Sequence, residues 1–131
     1  MPTVFTRIIN GELPGRFVVE EPDVVAFLSI APLRPGHTLV VPRQEVDEWT
    51  DLDEDLLAGC MRVAHRVGRA VKKAFDAPRA GLIVAGFEVP HAHIHVVPVW
   101  DMADFDFARA QPADDKALDD AADKVRAALA R

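Results

Sequence analysis

Apolar residues recur along the chain with two spacings, one typical of helices and one typical of strands. Steps of three and four residues predict three helices, because such steps return to one face of an α-helix. Short β-branched or aromatic runs between turn residues predict five strands. The predicted helices cover residues 4–9, a long stretch from a cap at Thr50 or Asp53 to Phe75, and residues 114–129. The predicted strands span residues 17–20, 24–30, 37–41, 81–85 and 92–99.

The order of these elements predicts an α+β fold. One helix is followed by three strands, a second helix, two more strands and a last helix. Short turns between the first three strands favour antiparallel pairing, with the helices packed on the sheet. Because 131 residues are too few for two ordinary domains, we expect one domain over residues 1–131. Its core should lie in about residues 4–100, and its last helix in about residues 114–130.

Composition narrows the range of partners. The chain has 15 basic and 21 acidic residues and a net charge of −6, which argues against broad contact with nucleic acid. It contains no basic leader before a long apolar stretch and no run long enough to span a bilayer. We therefore expect no membrane partner and a cytoplasmic location. The single cysteine, Cys60, excludes an intrachain disulfide and a Cys-x-x-Cys zinc site.

Three histidines alternate with apolar residues at 91, 93 and 95, near the start of the last predicted strand. Since side chains alternate across a strand, His91, His93 and His95 should share one face, about 6.5–7 Å apart. Two chemistries suit such an array. Imidazole nitrogens bind metal ions, commonly zinc, and a neutral imidazole can attack an electrophile while its neighbours fix its tautomer. The spacing alone leaves both interpretations open, beside a packing role.

The segment His-Ala-His-Ile-His-Val-Val over residues 91–97 resembles the signature of the histidine triad superfamily of nucleotide-binding hydrolases and transferases. Three earlier segments also resemble that family and occur in the same order. Residues 5–14 are similar to its opening helix and turn, residues 26–32 to its second strand, and residues 35–42 to its third. The resemblance therefore covers roughly residues 4–100.

The resemblance implies a fold and a mechanism. The fold would be a five-stranded antiparallel sheet with flanking helices, joined into a ten-stranded sheet in a homodimer. In the mechanism, His93 attacks the α-phosphorus of a phosphoramidate, adenylate or dinucleoside polyphosphate and becomes a nucleotidyl-histidine intermediate, which water hydrolyses. His95 would hydrogen-bond the phosphate, and His91 and His37 would belong to the network that orients His93. No metal or other cofactor is needed for this chemistry.

The same resemblance implies a nucleotide-binding cleft. Its apolar lining would consist of Val4, Phe5, Ile8, Phe27, Ile30 and Leu39, with Gly86 beside the phosphate. Two positions differ from the family pattern. Ser29 stands where an aspartate usually binds both ribose hydroxyls, and serine offers no charge and less reach. Glu88 stands where a serine or threonine usually contacts the phosphate, so a carboxylate replaces a hydroxyl beside an anion.

Ser29 and Glu88 also support an alternative hypothesis, a nucleotide-binding or interaction module with the same fold and negligible catalysis. A third hypothesis is a metal protein that uses the histidines as ligands. The chain lacks a fourth ligand from cysteine, although His37 would be available.

Overall fold

The structure is a computed structural model that describes residues 2–130. Its strands form one antiparallel sheet with the order β1-β2-β3-β5-β4. The strands are β1 (Phe17–Glu20), β2 (Val24–Leu28), β3 (Thr38–Pro42), β4 (Arg79–Ile83) and β5 (Ile94–Val99), and the helices are α1 (Val4–Ile9), α2 (Glu54–Ala74) and α3 (Asp115–Leu129). The predicted α+β fold with a five-stranded antiparallel sheet is confirmed.

The ends of several strands differ from the prediction. β1 has the predicted bounds, but β2 ends at Leu28, β4 covers residues 79–83, and β5 begins at Ile94 instead of Ala92. Strand pairing explains the last two differences, since the β4–β5 ladder runs from Arg79 to Ile83, and the β3–β5 ladder ends where Val40 lies opposite Ile94. Residues 91–93 precede the ladder and form their hydrogen bonds elsewhere. Only one of the three alternating histidines therefore lies in a strand.

One face of the sheet packs on α2. Small and β-branched side chains from four strands meet the apolar stripe of this helix, and α3 adds Val125 to the same core. The core includes Val24, Ala26, Val40, Ile94 and Val96 from the sheet and Cys60, Val63, Val67 and Val71 from α2. Burial raises the pKa of the Cys60 thiol to about 11, so this cysteine is a packing residue.

The other face of the sheet is covered in part by α1. This helix has six residues, too few to be stable alone, so tertiary contacts must hold it. Phe5 is its buried anchor and meets Phe27 edge-on, with 5.5 Å between the ring centroids. Val25, Leu39 and Val41 complete this second cluster. The catalytic histidines predicted from the sequence lie beside this face.

The two edges of the sheet differ. Along β1, α3 lies close enough for the Arg126 Nε to donate to the Phe17 carbonyl over 2.9 Å. β4 is the opposite edge, and its Leu82 side chain is exposed. After β5 the chain runs through two short 3-10 turns, Met102–Phe105 and Phe107–Arg109. Among the described residues, no helix is long and apolar enough to cross a membrane.

Candidate active site

Four histidines lie together beside the second sheet face. His95 belongs to β5 and pairs across the ladder with Leu39 of β3. His37 immediately precedes β3, after a turn in which Gly36 has a φ of +95°. His91 and His93 lie in the irregular segment before β5. The rings of His93 and His95 are 4.9 Å apart between centroids. The structure thus places the predicted side chains together, although the regular strand does not reach His91 or His93.

Backbone and side-chain partners fix the tautomers of His37 and His95. The Leu33 N–H donates to His37 Nδ1 over 3.0 Å, so the hydrogen of the neutral His37 ring is on Nε2. His37 Nε2 then donates to His95 Nδ1 over 2.9 Å. Since Nδ1 of His95 accepts this bond, its own hydrogen is on Nε2. His95 therefore keeps an N–H donor that is not used in the contact with His37.

His93 has the opposite tautomer. Its Nδ1 lies 2.7 Å from the backbone carbonyl of His91. Because a carbonyl oxygen only accepts, Nδ1 carries the hydrogen and donates it. The lone pair of the neutral ring is then on Nε2, which has no hydrogen-bond partner among residues 2–130. Edge-on contact with Phe5, at 4.9 Å between centroids, holds the ring from one side. A positioned imidazole with an unused lone pair is suited to nucleophilic attack.

Burial keeps these rings neutral. Burial lowers the pKa of His93 below 6.5, lowers that of His95 to about 4, and lowers that of His37 to about 3. In each case desolvation is the main cause, and charge on the neighbouring histidines acts in the same direction. At neutral pH the site therefore presents an uncharged imidazole at His93.

His37 and His91 make different contacts in the histidine cluster. The sequence resemblance implies that both belong to the network that orients His93, and within the cluster the His37 ring is hydrogen-bonded to His95. The contact to His93 comes from the main chain of His91. The His91 ring itself is fully buried. Its Nε2 donates to the Pro42 carbonyl over 2.7 Å, and its Nδ1 lies 2.8 Å from the Thr3 hydroxyl.

A cavity of about 130 Å³ opens beside the histidines. It is lined by Ala85, Gly86, Phe87, Glu88, His93, His95 and Phe107. Gly86 has a φ of +83°, which side chains other than glycine adopt at a cost, so the turn itself requires this residue. Glu88 is exposed. It is the one acidic residue that lines the cavity, whose lining contains no lysine or arginine.

The predicted cleft residues divide into two groups. Phe5, Ile8, Phe27 and Leu39 pack in one cluster beside the histidines. Val4 and Ile30 lie outside that cluster and are 40% and 67% exposed. Ser29 follows the end of β2, is half-buried, and its Oγ accepts a hydrogen bond from the Ala31 N–H over 3.3 Å.

Sequence reasoning did not assign three residues to the site. Phe107 lies edge-on to His95 with 5.0 Å between centroids. The Thr3 hydroxyl bonds His91, which is far away in the sequence, and the Leu33 N–H bonds His37 four residues later. The only sequence signal near Thr3 is the helical spacing of apolar residues that predicts α1. Nothing in the local sequence signals its contact with a residue 88 positions away.

The metal hypothesis requires a set of ligands. Among residues 2–130, no three His, Cys, Asp or Glu side chains are arranged to hold a metal ion. The histidine nitrogens instead bond one another and the main chain, which leaves few lone pairs directed at one point.

The sequence and the structure of the chain are both similar to known proteins of one kind. The HIT domain family model matches residues 10–102. An uncharacterised HIT-like protein of Methanocaldococcus jannaschii is 34% identical over 102 residues, which are 75% of this chain and 79% of the relative. The adenosine 5'-monophosphoramidase HNT1 of Saccharomyces cerevisiae is 30% identical over 99 residues, 75% of this chain and 63% of the relative. A crystal structure of a HIT-like protein from Bartonella henselae superposes with a TM-score of 0.84, at 31% identity, over 96% of this chain and 95% of that chain.

Proposed function

The chain belongs to the HIT domain family, and from this premise we propose that it is a nucleotide hydrolase or nucleotidyl transferase with His93 as its nucleophile. The proposal rests mainly on the opposite tautomers of His93 and His95. His93 has a free lone pair on Nε2, and His95, 4.9 Å away between centroids, has a free N–H on Nε2. The lone pair is available for phosphorus, and the N–H for a phosphate oxygen.

The reaction would proceed in two displacements. His93 Nε2 attacks the α-phosphorus, an Nε2–P bond forms, and the bond to the leaving group breaks with its electron pair on that group. His95 donates to a phosphate oxygen, whose negative charge it stabilises. Water then attacks the phosphorus of the nucleotidyl-histidine, and the P–N bond breaks to release a nucleoside monophosphate. An alcohol or amine in place of water would give nucleotidyl transfer.

The nucleoside would bind beside α1. Phe5 contacts the His93 ring, and Phe27 packs beneath Phe5 with only 1% of its surface exposed. Phe27 and Leu39 would thus form the floor of the cleft. The more exposed Val4, Ile8 and Ile30 are available to the base, and the Ser29 hydroxyl hydrogen to a ribose oxygen.

Glu88 supports a choice among leaving groups. The cavity beside His93 and His95 contains no lysine or arginine among its lining residues, and Glu88 adds a negative charge. A polyphosphate leaving group would bring further negative charges into this cavity, which costs free energy. A phosphoramidate nitrogen takes one proton from solvent to leave as a neutral amine and a second proton from solvent to become an ammonium ion, whose positive charge is favoured beside the carboxylate. We therefore favour nucleoside phosphoramidates over dinucleoside polyphosphates as substrates.

Single-turnover labelling tests the nucleophile. Wild-type protein mixed with a substoichiometric adenosine phosphoramidate should transiently gain the mass of one adenylyl group and then release AMP. His93→Ala should show neither event, because it lacks the attacking nitrogen, while His65→Ala on the exposed face of α2 should behave as wild type. Full turnover by His93→Ala would overturn the mechanism.

The labelling experiment, combined with a binding titration, also tests the second candidate function, a nucleotide-binding module without catalysis. Ser29 in place of aspartate and Glu88 in place of a hydroxyl both depart from the pattern of nucleotide-hydrolysing members. If wild type binds AMP in a calorimetric titration but forms neither adduct nor product, the chain is a nucleotide-binding module.

We further propose a homodimer formed through the β4 edge. An edge strand presents unpaired backbone groups, and β4 has no neighbour beyond it among the described strands. Leu82 and Val84 near this edge and Met61 on α2 are exposed apolar residues. Leu82→Lys should shift the mass measured by light scattering from dimer to monomer, whereas Met102→Lys, on the turn after β5, should not. A monomeric wild type at micromolar concentration would contradict this proposal.

A further inference from the structure

The segment that carries His93 is held by contacts outside the sheet. β5 begins at Ile94, so residues 91–93 lack ladder partners. The Ala92 N–H donates instead to the Val46 carbonyl over 2.7 Å. His91 Nε2 donates to the Pro42 carbonyl over 2.7 Å. Both carbonyls belong to the end of β3 and the loop after it. This loop therefore fixes one side of the His91 ring and the main chain beside it.

Thr3 fixes the other side of the same ring. Because Nε2 of His91 donates to Pro42, Nδ1 of the neutral ring is an acceptor, and the Thr3 hydroxyl donates to it over 2.8 Å. The same hydroxyl accepts from the Thr6 N–H over 3.1 Å and so caps α1. One side chain thus joins the start of α1 to the residue whose carbonyl orients His93.

Glu45 connects this cap to the loop after β3. Its Oε1 accepts from the Thr3 N–H over 2.6 Å and from the Thr6 hydroxyl over 2.8 Å. These hydrogen bonds lower the pKa of the Glu45 carboxyl, which is therefore ionised at neutral pH. The loop that bonds His91 and Ala92 through its main chain thus also bonds α1 through a side chain. Glu45, Thr3, Thr6 and His91 form a continuous hydrogen-bonded cluster, here called the α1 clasp.

The clasp has two routes to the nucleophile. In the first, it fixes the His91 ring, and the His91 carbonyl accepts from His93 Nδ1 over 2.7 Å. In the second, it fixes α1, whose Phe5 contacts the His93 ring at 4.9 Å between centroids. Both routes act on the orientation of His93 and on the direction of its Nε2 lone pair. Neither Thr3 nor Glu45 lines the cavity beside His93 and His95.

We propose that Thr3 and Glu45 are positioning residues, which hold His93 in its attacking orientation by clasping α1 to His91. This inference rests on the proposed function for its kinetic consequence only. Thr3→Val removes the hydroxyl and keeps the shape of the side chain. Adduct formation in single turnover should slow by about 10- to 100-fold, because a misplaced reacting group loses rate on that scale. Because α1 also carries the cleft residues Val4, Phe5 and Ile8, the KM should rise as well, but by a smaller factor than the rate falls.

The controls separate positioning from general damage. Thr3→Ser keeps the hydroxyl and should recover most of the rate. Thr50→Val makes the same chemical change at an exposed position whose hydroxyl makes no hydrogen bond to the described residues, and it should match wild type. Glu45→Gln keeps an acceptor oxygen and should retain more activity than Glu45→Ala. Equal adduct rates for Thr3→Val and wild type, or a loss in Thr3→Ser as large as in Thr3→Val, would overturn the proposal.

Histidine ¹⁵N NMR tests the clasp without substrate. In the wild-type protein the His91 Nδ1 signal should show a hydrogen-bonded acceptor, and in Thr3→Val it should move toward the value of a free one. The Thr3→Ser signal should stay near wild type. An unmoved His91 signal in Thr3→Val would overturn the clasp. If the wild type forms no adduct while the His91 signal moves as expected, the proposed function fails and the clasp stands.

Discussion

The buried pair of His37 and His95 should make the folded chain sensitive to mild acid. His37 is 1% exposed, and its Nδ1 already accepts a hydrogen bond from the Leu33 N–H. A proton on Nδ1 would break that bond and place a charge in the protein interior next to His95. Burial therefore lowers the pKa of His37 to about 3 from 6.5.

The magnitude follows from the difference between the folded and unfolded pKa values. At pH 4.5 an unfolded His37 has bound a proton, whereas the folded one, with a pKa of about 3, has not. The contribution of His37 to the free energy of unfolding is therefore fully present above pH 6.5. It is lost as the pH decreases from 6.5 toward 3, because the unfolded state binds more protons in that window. Two pH units at about 1.4 kcal/mol each give a loss of about 3 kcal/mol at pH 4.5. His95, with a folded pKa of about 4, acts in the same direction.

Urea unfolding at pH 7.0 and pH 4.5, followed by Trp49 and Trp100 fluorescence, measures this loss. His37→Gln replaces the ring with an amide that still accepts and donates but does not titrate. Its loss of unfolding free energy between the two pH values should be smaller than that of wild type by about 3 kcal/mol. His65→Gln, at an exposed position on α2, should keep the wild-type loss because His37 is intact. If His37→Gln loses as much stability as wild type, the assignment of the effect to His37 is wrong.

Three further predictions concern the rate, the turn after β5 and the β4 edge. Because burial lowers the pKa of His93, adduct formation should stay constant from pH 8 to pH 6.5 and fall only in more acidic solution; a rate already halved at pH 7 would contradict this. Asp104→Ala should lower the free energy of urea unfolding by about 1–3 kcal/mol, because the buried carboxylate accepts from two backbone N–H groups and from Arg34. A loss below about 0.5 kcal/mol would refute that role. Gly81→Ala should cost about 1–3 kcal/mol, since its Cβ would overlap the Phe105 ring, and Phe105→Leu should relieve part of this cost in the double variant.

Periodicity predicted the elements that bury one continuous face. α2 has its apolar residues at steps of three and four and its N-cap at Asp53, and the structure shows the same helix. The alternation of histidines with apolar residues predicted that β5 begins at Ala92, and this is wrong because a strand extends only as far as a neighbouring strand pairs with it. At this end of β5 the partner is β3, whose last pair joins Val40 to Ile94. Alternation in one segment contains no information about the length of a strand that pairs with it.

The sequence resemblance also predicted that the four histidines share one site, but it did not predict their hydrogen bonds. His37 and His95 are 58 residues apart. The Leu33 N–H that selects the tautomer of His37 and the His91 carbonyl that selects the tautomer of His93 are main-chain groups. Every residue type has these groups, so no sequence pattern marks which of them meets an imidazole. Thr3 illustrates the same limit, since an N-cap threonine is explained by its helix alone, without the contact to His91.

The use of main-chain partners explains how similar histidines acquire different roles. An N–H can only donate and a carbonyl can only accept, so each imposes one tautomer on the imidazole that it meets. Leu33 supplies the N–H at one end of the site, and His91 supplies the carbonyl at the other. The imidazoles of His93 and His95 therefore face the same cavity with opposite polarity, one with a lone pair and one with a hydrogen. In the proposed mechanism a nucleophile and a phosphate donor are obtained from one residue type without a charged group, because the backbone sets the difference between them.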